Sequence, residues 1–350
     1  MTGPADAAAL AAVAIGSVRG SAALGGARWP RRSPGAAILL WQAFGLGGGL
    51  AAVGSLFEIG VPPGSVGVAD GVARVVAAAA RGSLFASGQP ALPVFLRLAS
   101  LIMGLALLAQ LCSVLVASSA MAVRARRRQR ALLALLGRGD PKAPGALVVD
   151  HPAAAAYCLP GLRSRIVVSV GALDLLRPAE LAAVLAHERA HLRERHDLVV
   201  LPFTALRRAF GWSRICADAH QSVALLIEML ADDRALRARP ARALAGALAR
   251  FGTAGCVDNA PAGALAVAGT AHEGEMVARV SRLMTPVPPL SRAARAGIWC
   301  TATLIVVVPV ALLLPNLAAR HGREPAGGPG GPAATRGRKA RSRNCRSCTP

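Results

Sequence analysis

Residues 35–57 read GAAILLWQAFGLGGGLAAVGSLF and contain no charged side chain. Such a run is long enough to cross a bilayer, because about 20 residues of helix span the roughly 30 Å hydrocarbon core. A helix also satisfies its own backbone hydrogen bonds in lipid, which an irregular chain cannot do. Two further apolar runs follow: 93–122, with Arg97 near its start and able to snorkel to the headgroups, and 297–318 with TLIVVVPVALLL at its centre. A fourth, over 5–25, is Ala-rich, less apolar and broken by Arg19. It lacks the basic start of a signal peptide and reads as a first membrane helix. The expected fold is therefore mainly α, with multi-pass membrane helices. The glycines of 35–57 are expected to let neighbouring helices approach closely. Hydrophobic residues make up 54% of the chain and mean hydropathy is +0.47, a balance that favours membrane spans over a soluble domain.

The formal net charge is +22, nearly all from arginine, since Lys142 and Lys339 are the only lysines. An Ala, Gly and Arg bias with so little lysine is what a GC-rich genome writes, and the expected setting is a bacterial plasma membrane. Arg28, Arg31 and Arg32 precede the run 35–57, and Arg124, Arg126, Arg127, Arg128 and Arg130 follow the run 93–122. Both clusters are expected on the cytoplasmic side, and they agree because a pair of spans separates them. The count also puts the C-terminal tail outside, against its own six basic residues between Arg336 and Arg346. Basic residues are not interleaved with aromatics and no reading motif occurs, so no direct nucleic-acid contact is expected.

The expected organisation is a membrane region over 1–123, a more polar cytoplasmic domain over 124–296, a membrane helix over 297–318 and a disordered basic tail over 319–350. A short Ala/Val helix is expected over 66–81. Of the seven cysteines, Cys112, Cys158, Cys216, Cys256 and Cys300 stand among apolar residues and read as small buried hydrophobes. The Cys345-x-x-Cys348 pair has no second pair near it to complete a metal site.

The chemistry concentrates in residues 178–195, PAELAAVLAHERAHLRER. Pro178 suits a first helical position, and Leu181, Val184, Leu185 and Leu192 repeat at helical spacing. His187 and His191, at i and i+4, then lie one turn apart on one face and can reach one metal ion. Glu188 can contact a water bound to that ion. A catalytic zinc takes three protein ligands and keeps a fourth position open. The downstream pattern QSVALLIEMLADDRAL, 221–236, offers Glu228 among apolar neighbours, where a lone carboxylate is costly and a metal is a natural partner. Asp232, one turn on, can accept a hydrogen bond from a ligand histidine. His196 falls off the shared face of His187 and His191 and reads as a surface or supporting residue.

LAHERAHLRERHD (185–197) and EMLADDRA (228–235) resemble membrane-bound zinc metallopeptidases of the BlaR/MecR type, relatives of HtpX and the CAAX prenyl proteases. VVDHPAAAAYCLPGLRSRIVVSVGALDLL (148–176) is similar to the paired strands that precede the metal helix in that group, with Tyr157-Cys158-Leu159-Pro160-Gly161 as its hairpin. A small sheet from about 146–150 and 165–169 is expected beside the metal helix. The resemblance implies a Zn2+ cofactor held by His187, His191 and Glu228, Glu188 as general base and Asp232 in support. His272 and Arg279 are oxyanion-stabilising candidates by chain position alone. The antibiotic transducers of the group carry a large extracellular sensor after the last span; here a low-complexity tail without an S-x-x-K motif follows, which speaks against β-lactam sensing.

The expected activity is hydrolysis of peptide bonds in a protein or peptide substrate. Two other readings share the sequence: a regulatory transducer that cleaves a cytoplasmic repressor, and a non-catalytic membrane scaffold with a decayed site.

Overall fold

In a computed structural model, residues 4–65, 67–85, 90–161, 164–254, 265–266, 273–285 and 288–318 are described. The expected tail, Cys256, His272 and the Cys345/Cys348 pair lie outside these residues. Four helices are long and apolar enough to cross a membrane: α1 (Pro4–Gly26), α2 (Pro34–Gly60), α4 (Ala91–Leu136) and α11 (Arg292–Ala318). The short helix α3 (Val68–Ala80) joins α2 to α4.

Helix α2 is the centre of the bundle and packs on α1, α4 and α11. Its glycines stand where the neighbours come closest. A Cβ on Gly47 would lie 2.5 Å from the Ile305 carbonyl oxygen of α11, and one on Gly48 would lie 2.6 Å from Ser17 Cβ of α1. Only a residue without a side chain permits those approaches. Cys112 and Cys300 were expected to be buried and are exposed, on α4 and α11. An apolar surround in sequence means burial only where another element covers the face, and the outer faces of these helices are uncovered. Cys158 is buried and Cys216 half-buried.

The span expected over 93–122 continues to Leu136, so position 123 lies inside a helix of 46 residues. At 1.5 Å per residue it is about 69 Å long, more than twice the hydrocarbon thickness. The arginine cluster does not end the helix, because Arg, Ala, Leu and Gln are good helix formers and no Gly or Pro interrupts them. Its second half reaches the polar domain: Arg126 pairs with Asp197 at 3.0 Å, Arg130 Nη2 donates to the Pro160 carbonyl at 2.8 Å, and Leu133 packs with Leu159 and Val167.

The domain opens with β1 (Ala146–Val149), β2 (Ala156–Leu159) and β3 (Arg165–Ser169). A two-residue strand, β4 (Leu265–Ala266), completes a sheet of order β1-β3-β2-β4. β1 runs parallel to β3, and β2 antiparallel to both β3 and β4. Helices α5 (Val170–Leu175), α6 (Pro178–Glu194), α7 (His196–Ala209), α8 (Arg214–Ala235), α9 (Ala241–Thr253) and α10 (Glu273–Met284) follow. Ser169 Oγ caps α5 by accepting the Ala172 N–H at 3.1 Å. Pro178 opens α6, and the Glu180 carboxylate accepts the Arg177 N–H at 2.9 Å.

Two cores position the site. One joins the sheet to α6 and α9 through Val148, Ile166, Val168, Val184, Leu185, Leu244, Leu248 and Phe251. The other is shared with the spans: Val223, Leu226 and Ile227 of α8 pack against Ala37, Ile38, Leu40 and Trp41 of α2. The helix carrying Glu228 is thus seated directly on the central membrane helix.

Candidate active site

Helix α6 places His187 and His191 one turn apart, and α8 crosses it so that Glu228 meets them. His187 Nε2 lies 3.0 Å from His191 Nε2 and 3.3 Å from Glu228 Oε2, and His191 Nε2 lies 3.4 Å from Glu228 Oε1. Both histidines are buried, and the Glu228 side chain is 20% exposed, so the cluster opens on the carboxylate side.

The far nitrogen of His187 is held as well. Its Nδ1 lies 2.9 Å from Asp232 Oδ1. Arg279 of α10 grips Asp232 with two hydrogen bonds, Nε to Oδ2 at 2.9 Å and Nη2 to Oδ1 at 2.7 Å, and its Nη1 sits 2.9 Å from Glu228 Oε2. Arg279 therefore reaches the site from the carboxylate side of the cluster. Burial opposes ionisation of Asp232 and Glu228, but for Asp232 the guanidinium outweighs it, and for Glu228 His191 and then the guanidinium do, so both carboxyls fall well below the usual range.

Glu188 is fully buried, and its carboxylate oxygens find no N–H or O–H donor among the described residues. The thiol of Cys158, a weak donor on β2, faces it. Burial raises the Glu188 carboxyl to about 8 and, with the carboxylate beside it, raises the Cys158 thiol further still. Burial lowers His191 to about 3, whereas for His187 the hydrogen bonds to Asp232 and Glu228 overcome burial and raise it to about 9.

The residues fit a divalent metal on two counts. Bond lengths of about 2.0–2.1 Å to a tetrahedral zinc put neighbouring ligand atoms roughly 3.3–3.4 Å apart, close to the separations among His187, His191 and Glu228, whose ligand atoms all lie within 4.8 Å of one another. The charge also asks for a cation. The metal-free site balances Glu228 and Asp232 with Arg279 and a proton held by His187, and a metal cation would take that proton's place while offsetting the charge of the buried Glu188 carboxylate.

His196, read from spacing as a surface or supporting residue, is buried, with Nδ1 2.9 Å from His191 Nδ1. Helical geometry placed it off the shared face, but the helix stops: Arg195 takes φ 51° and turns the chain back. The approach of Cys158 to Glu188 was also outside the sequence reading. Alternation along β2, with Cys158 paired to Ile166 on the buried side, is the signal that points to it.

No curated protein and no solved structure is significantly similar to the chain. A family model described as Peptidase family M48 matches residues 119–224, from within α4 through β1–β3, α5, α6 and α7 into α8, and ends before Glu228. That match supports the M48 metallopeptidase family for the segment that carries His187, Glu188 and His191.

Proposed function

We propose that the chain is a membrane-bound zinc endopeptidase, with His187, His191 and Glu228 as metal ligands and Glu188 as general base. The observation that carries this reading is the convergence of two imidazoles of α6 and one carboxylate of α8 beside a buried, donor-poor glutamate. Zinc held there would lower the pKa of a water toward about 7 and polarise the scissile carbonyl. Glu188 would take a proton from the attacking water on a carboxylate oxygen and return it to the leaving amine. Burial gives the Glu188 carboxylate a higher proton affinity than an exposed one, and a bound metal cation would offset enough of that rise to keep it ionised and able to accept a proton. Asp232 accepts a hydrogen bond from His187 Nδ1, which leaves Nε2 free as a donor to metal. Arg279 orients Glu228 and Asp232 together and keeps both ionised.

Two contacts favour a cytoplasmic catalytic unit over 124–296, set against the membrane region 1–123 and the helix 297–318. Arg282 Nε donates to the Arg31 carbonyl at 2.9 Å, and Arg32 Nε to the Pro288 carbonyl at 3.0 Å. The basic α1–α2 connection and the basic half of α4 thus both abut the catalytic unit at one end of the bundle, which the positive-inside rule assigns to the cytoplasm. The BlaR/MecR-type motifs at 185–197 and 228–235 make that group the proposed subtype, in a bacterial plasma membrane.

The test is zinc per polypeptide in detergent-purified protein, with peptide hydrolysis measured in parallel. Near one zinc in the wild type, loss of it in Glu228→Ala, and retention without hydrolysis in Glu188→Ala support the reading. Absence of zinc in the wild type, or full hydrolysis by Glu188→Ala, refutes it.

A further inference from the structure

The ligand pair is supported asymmetrically. His187 leans on a carboxylate, Asp232, whereas His191 leans on another imidazole. His196 Nδ1 lies 2.9 Å from His191 Nδ1, and His196 Nε2 lies 3.3 Å from Glu194 Oε2, whose other oxygen is ion-paired with Arg234 Nε. Two neutral imidazoles facing each other through Nδ1 share one proton, so the tautomer of one dictates that of the other. Glu194, held by Arg234, is an acceptor only. It therefore keeps the His196 proton on Nε2 and leaves Nδ1 as an acceptor. His191 must then carry its proton on Nδ1, and its Nε2 presents a lone pair toward His187 Nε2 and Glu228.

We propose that His196, held by Glu194 and Arg234, is a positioning residue that sets the tautomer and ring orientation of His191 for metal binding. The inference rests on the zinc reading above and adds the residue that prepares one of its ligands.

The backbone is built around this contact. Arg195 is the one non-glycine residue with positive φ among the described residues, at 51°, between α6 and α7. Such a conformation costs energy and persists where the surroundings hold it. Here it reverses the chain after α6, so that the first residue of α7 folds back under the last turn and a half. The next residue, Asp197, is buried and anchored at 3.0 Å by Arg126 of α4. The His196 ring meets the His191 ring edge-on, with centroids 4.8 Å apart and planes at 87°. That is the arrangement expected when a ring nitrogen of one points at a ring nitrogen of the other.

The experiment measures zinc affinity of the full chain in detergent by competition with a chromophoric chelator, with metal-free thermal stability alongside. The variants are His196→Ala, His196→Asn and Glu194→Ala. Asparagine carries an oxygen acceptor on the same side-chain branch as Nδ1. The proposal expects His196→Ala to weaken zinc binding by about 10–100-fold, His196→Asn to restore most of that loss, and Glu194→Ala to weaken binding in the same direction. The visible spectrum of the Co2+-substituted protein should change in the alanine variants and return toward wild type in His196→Asn. Equal losses in His196→Ala and His196→Asn would mean that the ring only fills space, and unchanged affinity in His196→Ala would remove the role; either result overturns the proposal while leaving the zinc site standing. If His196→Ala does not fold, Glu194→Ala and His196→Asn decide: normal affinity in the first, or loss in the second, overturns it. Absence of zinc from the wild type overturns this inference and the zinc reading together.

Discussion

Asp232 touches His187 with the same oxygen that Arg279 grips: Oδ1 lies 2.9 Å from His187 Nδ1 and 2.7 Å from Arg279 Nη2. One carboxylate thus joins α6, α8 and α10, with all three side chains nearly or fully buried. Replacing Asp232 with Ala removes the two-point hydrogen-bond partner of a buried guanidinium. Breaking a buried pair from one side costs about 3–5 kcal/mol. Asp232→Ala is expected to lower metal-free stability on that scale and to weaken zinc by about 10–100-fold, read by thermal unfolding in detergent and chelator competition. Stability within about 0.5 kcal/mol of wild type would mean that the pair carries no structural load.

Glu188→Gln separates chemistry from folding. The amide keeps the shape and cannot take a proton, so hydrolysis of a peptide substrate should fall by at least about 100-fold while zinc content stays at the wild-type level. Metal-free stability at pH 8 should not fall, because the substitution removes a buried carboxylate that lacks an N–H or O–H donor. A hydrolysis rate equal to wild type would remove Glu188 from the mechanism.

The metal-free protein should lose stability as pH rises from about 7 to 9. His187 is raised to about 9, so its contribution is complete below its ordinary value near 6.5 and disappears as pH climbs through 9. Glu188 is raised to about 8, so the folded state also gives up a proton there that the unfolded state has already lost. His191, lowered to about 3, acts on the acid side: it weakens the fold only as pH falls below about 6.5. Zinc binding takes the proton from His187, and apparent affinity should rise with pH up to about 9, with proton release visible by calorimetry in buffers of different ionisation enthalpy. A melting temperature that is flat or rises between 7 and 9 in the metal-free protein would contradict the assigned protonation.

Helix contact at the glycines of α2 predicts a steric effect remote from the site. Gly47→Leu must displace the Ile305 carbonyl of α11 and is expected to cost about 1–3 kcal/mol. Gly16→Ala, where a Cβ meets nothing within 4 Å, should be neutral or stabilising by up to about 1 kcal/mol. Equal melting temperatures for the two variants would show that α2 and α11 do not pack at Gly47.

The sequence by itself determined the elements and the local pairings, since both depend on periodicity along the chain. Long apolar runs with few or no charges marked the four long helices. The i, i+4 spacing put His187 and His191 on one face of α6, and the resemblance to a paired-strand segment marked β1 and β3 at 146–150 and 165–169. Tertiary structure decided what lies far apart in the chain or depends on where a helix ends. It brought Arg279 onto Asp232 and Glu228 from 47 residues downstream of the aspartate, carried α4 through its arginines to Leu136, and left Cys112 and Cys300 on uncovered faces. It also turned His196 beneath His191 through one left-handed residue, Arg195. Helical periodicity extrapolates a face only while the helix continues, and nothing in residue spacing records the single backbone rotation that ends it.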